Sequence, residues 1–413
     1  MGEEMLSFEE ILNTVSDDKV MVDYPSLSRD LRQKMKESYI TPDIQRFYIA
    51  YYAKMAAEHV GFSQFSKESQ QGFKSEIERL YANISENKKQ QDFLEEMASR
   101  TVGFIEDRHF EVNVGGKMFH GGKPKADRTV GKNFAYRTRE EKPDTYQEQG
   151  KAVGRTDTGE EFPIWEIGTM KKGNEDILVV SVYDIAHRDN SYEAWSDFIE
   201  KFDKIYLTSK DKWEKGRIIF DVRGNRGGED KPIDHVAKRL YGNVVNTYKR
   251  CEIKDTSLGN WILHKHGAFK PQNYEKDGLK NTDIVQRKCF SGENRVLFDE
   301  TQTFYPFNEK DGYKGRIDIL LCSRVGSSAE SAYSSFYHHP NVRYIGENTH
   351  GMQQYTQGTF NTPWGGSMRV GWGKLTYWDK EGENIEVVGH KPDVNCSGKD
   401  AFDVALSMDR DEG

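Results

Sequence analysis

The sequence lacks the features that define several large protein classes. It has four cysteines in 413 residues (Cys251, Cys289, Cys322 and Cys396) and no CxxC pair, which argues against a disulfide framework or a zinc knuckle. No stretch approaches about 18 consecutive apolar residues, so no membrane span is predicted. Lys and Arg number 59 against 67 Asp and Glu, a net charge of −8, whereas a nucleic-acid-binding domain is usually strongly basic.

The amino terminus also lacks a targeting pattern. Met1-Gly-Glu-Glu is acidic and leads into a polar helical pattern, with no basic segment followed by an apolar one, so no secretory signal is expected. Leu6 stands where a myristoylation signal after Gly2 would carry Ser or Thr. These absences predict a soluble, cytoplasmic protein with neither membrane nor nucleic acid as a partner.

Residues 1–105 have the periodicity of helices. Ser7 and Glu10 have capping-box spacing, and Thr41-Pro42 combines an N-cap residue with a proline at the first helical position. Later apolar runs around Phe73 and Phe93 recur at one-face helical spacing. The prediction is an N-terminal helical cap domain over 1–105.

Residues 106–413 have a different pattern. Glycines and charges crowd residues 110–165, which predicts short strands and turns. Short β-branched runs at 177–183, 217–221 and 317–322 alternate with helical patterns at 194–202, 233–240 and 329–336, which favours an α/β (α+β) domain. Residues 245–310 show little periodicity and are interpreted as a long insertion within this second domain.

Two segments of this domain offer chemistry. Asp221-Val-Arg-Gly-Asn-Arg-Gly-Gly228 follows a predicted strand, and it is either an ordinary turn or a source of uncovered backbone N–H groups for an anion. It has neither P-loop nor GxGxxG spacing. The second segment, Gly326-Ser-Ser-Ala-Glu330, follows another strand, where Ser327 or Ser328 either caps a helix or presents a nucleophile at a helix N-terminus.

Four ordered blocks resemble peptidase family S41, the carboxy-terminal processing, tail-specific and tricorn-like serine peptidases. They are the two segments above, Ile345-Gly-Glu-Asn-Thr-His-Gly351, and the closing Gly382-Glu-Asn-Ile-Glu-Val-Val-Gly-His-Lys-Pro-Asp393. The resemblance covers about 100–400. It implies a ClpP/crotonase-like catalytic core and peptide-bond hydrolysis, without an evident PDZ domain.

The resemblance also implies site residues. Ser327 matches the nucleophile, but Met352 stands at the position where bacterial members carry a lysine base. Asp107-Arg108-His109 resembles the Asp-x-His block of members with a histidine base, so His109 is the expected general base and Glu386 the residue that orients it. Lys374 is kept as a weaker alternative base.

The expected oxyanion hole consists of a backbone N–H at Gly227 or Gly228 and that of Ser328. His350 could line the site. The pairs His264 with His266 and His338 with His339 lack the spacing of a metal motif, so no metal and no cofactor is expected.

The sequence thus predicts a serine endopeptidase that acts on a peptide or protein, and it leaves homo-oligomerisation open. Two alternatives remain at this point. A peptide-binding pseudo-protease is suggested by Met352, and an acyl-transfer enzyme on a crotonase-like fold would use the same oxyanion hole.

Overall fold

A computed structural model describes residues 5–84, 86–122, 143–155, 161–185, 191–243, 248–254, 256–266, 294–299, 307–377, 385–386 and 388–408. The α-helices in these residues are α1 (Phe8–Asn13), α2 (Asp17–Val20), α3 (Arg29–Glu37), α4 (Pro42–Ala57), α5 (Lys67–Ala82), α6 (Gln90–Thr101), α7 (Ser191–Thr208), α8 (Lys210–Lys215), α9 (Lys231–Tyr241), α10 (Ser257–His266), α11 (Ser331–Ser334) and α12 (Ala401–Ser407).

The strands are β1 (Tyr39–Ile40), β2 (Lys88–Lys89), β3 (Glu111–Val114), β4 (Lys117–His120), β5 (Gln147–Arg155), β6 (Glu161–Lys172), β7 (Glu175–Val182), β8 (Arg217–Asp221), β9 (Tyr248–Lys254), β10 (Asn294–Asp299), β11 (Arg316–Leu321), β12 (Val342–Gly346), β13 (Tyr355–Asn361), β14 (Ser367–Tyr377) and β15 (Val394–Asn395).

Two compact units divide the described residues. Unit 1 comprises those within Met1–Arg128, Arg250–Asp299 and Gln354–Leu375, and unit 2 those within Thr129–Lys249, Glu300–Gln353 and Thr376–Gly413. The predicted helical cap of 1–105 therefore belongs to a larger unit that also takes in two later segments of the chain.

Unit 1 packs helices α1–α6 against a sheet with the strand order β10-β9-β14-β3-β4, in which β13 also pairs with β14. Capping sets the helix starts as expected: Ser7 and Glu10 form the reciprocal capping box of α1, and Thr41 accepts from the Ile44 N–H at the start of α4. The core between them is rich in aromatic side chains, such as Tyr51, Tyr52 and Phe73, which are almost fully buried.

Unit 2 is built on a seven-stranded sheet with the order β15-β12-β11-β8-β7-β6-β5. The strands from β15 to β7 run parallel, whereas β6 and β5 join antiparallel at one edge. Alternation along the strands separates two cores, since Leu178 and Val180 face one cluster while Ile177 and Val179 face the other. Helices α7 and α9 supply the first cluster and α12 the second.

The predicted strands at 177–183, 217–221 and 317–322 correspond to β7, β8 and β11, and the predicted helices at 194–202 and 233–240 lie within α7 and α9. The helix predicted at 329–336 is shorter than expected: a 3₁₀ turn at Ser327–Glu330 leads into α11, which spans four residues. The predicted insertion at 245–310 contains β9, α10 and β10, and its residues 245–247, 255, 267–293 and 300–306 lie outside the described part. So do 123–142 and 156–160 of the glycine-rich stretch.

Among the described residues, no helix is both long enough and apolar enough to cross a bilayer. None of the described cysteines (Cys251, Cys322 and Cys396) forms a disulfide.

Candidate active site

The turn after β8 is braced by an internal ion pair. The Arg223 guanidinium donates from Nε and Nη2 to the two carboxylate oxygens of Asp221, each at 3.0 Å, and both side chains are buried. Its Nη1 donates to the Gly398 carbonyl at 2.7 Å. A two-pronged contact of this kind fixes geometry as well as charge, so the turn is held rigidly where β8 ends.

Asn225 connects this turn to the segment that contains Ser327. Its side-chain amide donates to the Val182 carbonyl at 3.1 Å, its side-chain oxygen accepts from the Gly227 N–H at 2.9 Å, and its backbone carbonyl accepts from Gly326 N–H at 3.2 Å. The side chain is fully buried, so each of these bonds is protected from water. The two segments singled out in the sequence are therefore in direct contact in unit 2.

The approach of the two segments requires glycine at position 227. Gly227 has a φ of 93°, and a Cβ there would lie 2.5 Å from the Gly326 carbonyl oxygen and 2.6 Å from the Ser327 Cβ. Next to it, the Ser328 hydroxyl donates to the Gly228 carbonyl at 3.0 Å. Because Gly227 already donates its N–H to Asn225, Gly228 is the better placed of the two predicted glycine donors.

Ser327 has an unusual backbone conformation. Its φ of 54° makes it the one non-glycine residue with positive φ among those described. A left-handed conformation costs an L-residue about 1–2 kcal/mol, so neighbouring contacts must hold it there. One such contact is its own N–H, which donates to Glu330 Oε2 at 3.0 Å.

Glu330 holds the Ser327 segment together. The fully buried carboxylate accepts the N–H of Ser327, the N–H of Met352 at 2.7 Å, the N–H of Gly351 at 2.8 Å and the Thr349 hydroxyl at 2.5 Å. Burial raises the pKa of Glu330, and these four donors oppose that rise. One side chain thus fixes the Ser327 turn to the block that follows β12.

The same block carries His350 and Met352. His350 donates its backbone N–H to the Val325 carbonyl at 2.6 Å, and its Nδ1 lies 3.3 Å from the Ser323 carbonyl oxygen. His350 therefore borders the loop that leads to Ser327. Met352, at the position of the family's lysine, sits there as well, with its sulfur 3.7 Å from where a Cβ on Gly326 would lie.

Glu386 is buried in unit 2, in a loop that packs on Thr349. Gly389 donates its N–H to the Ile385 carbonyl, and the His390 N–H donates to the Thr349 hydroxyl at 2.7 Å. The Thr349 N–H in turn donates to the His390 carbonyl at 3.0 Å. Since Thr349 also binds Glu330, the loop of Glu386 is tied to the same hydrogen-bonded framework as Ser327.

His109 belongs to unit 1, where Asp107 is its main charged neighbour. The His109 N–H donates to Asp107 Oδ1 at 2.8 Å, and the Asp107 Oδ2 lies 2.7 Å from Nε2 of the fully buried His59. Gly61 donates its N–H to His59 Nδ1 at 3.0 Å, so His59 carries its proton on Nε2 and donates it to Asp107. Desolvation lowers the pKa of His109, although the Asp107 charge opposes this.

Lys374 also belongs to unit 1. Its ammonium donates to the Gln64 side-chain oxygen, and desolvation lowers its pKa. Among the other histidine candidates, His339 is buried, with its ring edge-on to Tyr241 and Phe307, and desolvation lowers its pKa to about 4. The side chains of His264 and His266 lie outside the described part of the chain.

Two carboxylates beside Ser328 were not among the site residues predicted from the sequence. Asp230 and Asp234 lie four residues apart at the start of α9, where Asp230 is a polar neighbour of the Ser328 side chain and Asp234 accepts from the Ser335 hydroxyl at 3.4 Å. Both reach solvent, but the surrounding protein desolvates them, which raises the pKa of Asp230 to about 6 and, with added repulsion from Asp230, that of Asp234 to about 8. The sequence pattern that could have identified them is the i, i+4 spacing of two acidic residues directly after a glycine-rich turn.

The arrangement in unit 2 is suited to acyl-transfer chemistry. A serine is held in a strained turn against a glycine turn, and serine hydrolases pair a nucleophile with backbone donors for a developing oxyanion in such a setting. The fold and the site together are compatible with a serine hydrolase on an α/β core.

Comparison with known proteins identifies the family within this class. The model of peptidase family S41 matches residues 176–396, more than half of the chain, so the chain belongs to peptidase family S41 and is a serine-type peptidase. Its mixed helix-and-sheet fold is as predicted.

Solved structures that resemble the chain share little sequence with it. A candidate peptidase from Parabacteroides merdae ATCC 43184 is 14% identical, with a TM-score of 0.51 over 89% of this chain and 96% of that one. A lipoprotein from Streptococcus agalactiae is 17% identical (TM-score 0.42; 89% and 94%). The photosystem II D1 C-terminal processing protease is 9% identical (TM-score 0.41; 90% and 98%). No curated protein matches the sequence.

Proposed function

We propose that this chain is an endopeptidase in which Ser327 is the nucleophile, His109 the general base and Glu386 the group that orients and stabilises the histidine. The observation that carries the proposal is the conformation of Ser327. A strained serine, fixed by Glu330 against a glycine turn, fits a nucleophile better than a helix cap, because a cap needs no positive φ.

In the proposed reaction, Ser327 Oγ attacks the carbonyl carbon of the scissile peptide bond and His109 accepts the hydroxyl proton. The N–H groups of Gly228 and Ser328 receive the negative charge that develops on the carbonyl oxygen. His109 then returns the proton to the departing amine, and a water molecule hydrolyses the acyl-enzyme by the same steps in reverse order.

Two observations favour histidine over lysine as the base. Met352 occupies the position of the family's lysine, so that block supplies no lysine side chain. Lys374 is engaged with Gln64. His109 keeps a lowered pKa, and a neutral imidazole is the form that accepts a proton.

The proposal is tested by cleavage of an unstructured protein, such as casein, by the wild type and by three variants. Ser327→Ala and His109→Ala are expected to lose at least about a thousandfold in rate. Ser407→Ala is the control, because it removes an exposed serine hydroxyl of unit 2 that takes no part in the turn. Equal cleavage by the wild type and Ser327→Ala would refute the nucleophile, and binding of casein without cleavage would favour a pseudo-protease.

A further inference from the structure

Unit 1 contains a cavity of about 490 Å³ between α3 and two hairpin turns of its sheet. One wall is a face of α3, and the other consists of the turn at Gly115 and Gly116, between β3 and β4, and the turn at Gly365 and Gly366, between β13 and β14. Volumes of about 300–1,000 Å³ are typical of ligand sites. The cavity is therefore large enough for a few peptide groups.

The glycines help to keep this space open. Gly116 has a φ of 92°, and a Cβ built on it would meet no atom within 4 Å, so the cavity wall there is bare backbone. Gly365 has a φ of 79°, and a Cβ there would approach the Leu27 side chain to 2.6 Å. The turns thus bring backbone, rather than side chains, to the edge of the cavity.

The charge of the cavity is positive. Arg29, Arg32 and Lys36 have the i, i+3, i+7 spacing that puts them on one face of α3, and no acidic residue is among those that line the cavity. In the described part of the chain, none of the three forms an ion pair with a carboxylate. Lys36 interacts electrostatically with the Glu95 carboxylate, so Arg29 and Arg32 carry most of the unpaired positive charge of the cavity, in a protein with a net charge of −8.

From this cavity we infer a binding site for peptide carboxylates, in which an acidic segment of a peptide lies against Arg29 and Arg32. Guanidinium groups bind carboxylates through two parallel N–H donors, and Lys36 adds a third positive charge. The inference rests on the proposed function for the choice of a peptide as ligand, whereas the preference for an anion rests on the charges alone.

The test measures binding without turnover. Fluorescein-labelled peptides are titrated by anisotropy into full-length Ser327→Ala protein, so the result is independent of whether Ser327 is the nucleophile. The probes are an acetylated, amidated peptide rich in Asp and Glu, the same peptide with Asn and Gln, and that neutral peptide with a free C-terminal carboxylate. The acidic peptide is expected to bind at least about tenfold more tightly than its neutral amidated counterpart, and less tightly as salt rises.

The cavity is tested by Arg29→Ala with Arg32→Ala, which should weaken binding of the acidic peptide about tenfold or more. Lys34→Ala is the matched control, because Lys34 is an exposed cation of the same helix that does not line the cavity. Since α3 has no buried residue, these changes leave the core intact, which thermal unfolding checks. Arg29→Lys with Arg32→Lys should retain part of the binding.

Binding of the free-terminus peptide as well would extend the site to chain ends. The inference is overturned if the acidic and neutral amidated peptides bind equally, if the double alanine variant binds as the parent does, or if inorganic phosphate at the peptide's own concentration displaces it.

Discussion

The Ser327 turn of unit 2 and the α3 cavity of unit 1 differ in how far their charged side chains are paired within the protein. At the turn, the buried Glu330 carboxylate is satisfied by four donors from its own chain, and Asp221 and Arg223 neutralise each other. At the cavity, Arg29, Arg32 and Lys36 form no ion pair with a carboxylate of the described residues, although the Glu95 carboxylate interacts electrostatically with Lys36. A network in which every polar group is hydrogen-bonded is preorganised and rigid. A cation that forms no ion pair beside an open cavity is instead available to bind an anionic ligand.

The largest effect is expected where the satisfied network is broken. Glu330→Ala leaves the N–H groups of Ser327, Gly351 and Met352 buried without their acceptor, and it should cost about 3–5 kcal/mol of unfolding free energy and abolish peptidase activity. Denaturant unfolding and casein cleavage measure the two effects.

Glu330→Gln is the matched variant, because it keeps the shape but turns one acceptor oxygen into a donor. It should lose less stability than Glu330→Ala and still lose activity. An active Glu330→Ala enzyme would show that the turn does not depend on this carboxylate.

A smaller effect is expected from Asn225→Ala. This change leaves the Gly227 N–H and the Val182 carbonyl without partners, each about 1–3 kcal/mol when buried, and it loosens the glycine turn beside Ser327. The expected fall in kcat/KM is about 10²-fold, as for loss of one oxyanion donor.

Asn308→Ala is the control for Asn225→Ala. Its side chain also bridges backbone groups of unit 2, with Gly242 on one side and Lys310 on the other, but it takes no part in the turn. A similar loss of activity in both variants would mean that general stability, rather than the position of the turn, sets the rate.

The third prediction concerns pH. Desolvation lowers the pKa of His109, so the imidazole remains neutral at pH values below the ordinary histidine pKa of about 6.5. The midpoint of the acid limb in the pH profile of kcat/KM is therefore expected below about pH 6.5. Asp107→Asn removes the charge that raises this pKa, and it should move the limb to still lower pH. Activity that rises only above about pH 8 would instead indicate a lysine base.

The smallest effect is expected on stability at Asp234. A carboxyl whose pKa is raised to about 8 in the folded state contributes stability at low pH, and this contribution is lost as the pH rises from about 4 through 8. Asp234→Asn should therefore gain thermal stability relative to the wild type at pH 8 but not at pH 4. Asp197→Asn, an exposed acid on α7, is the control, and an equal gain in both would contradict this account.

Short local sequence patterns account for the helices and strands that could be predicted. The strands β7, β8 and β11 and the starts of α1 and α4 follow from runs of three to eight residues and their caps, which sequence displays directly. The composition of unit 1 could not be predicted, because it depends on pairings such as Met368 with Val112, which join distant parts of the chain. Such registers leave no local signal.

In the candidate site, too, residue types predict some features, whereas others depend on contacts that form only on folding. The Ser327 segment and the glycine turn were found from their residue types, but the contact between them is made by the backbone carbonyl of Asn225, and this contact arises only on folding. The role of Glu330 as acceptor for residues 349–352 also depends on folding. The residue-level triad of Ser327, His109 and Glu386 remains a prediction.

The most direct test of the central claim is to identify the residue that a fluorophosphonate probe modifies. After reaction at pH 7.5, proteolysis and mass spectrometry should place the adduct on Ser327, and Ser327→Ala should remain unlabelled while Ser328→Ala is labelled. An adduct on another serine, or no adduct on folded wild-type protein, would contradict the claim that the strained Ser327 is the nucleophile.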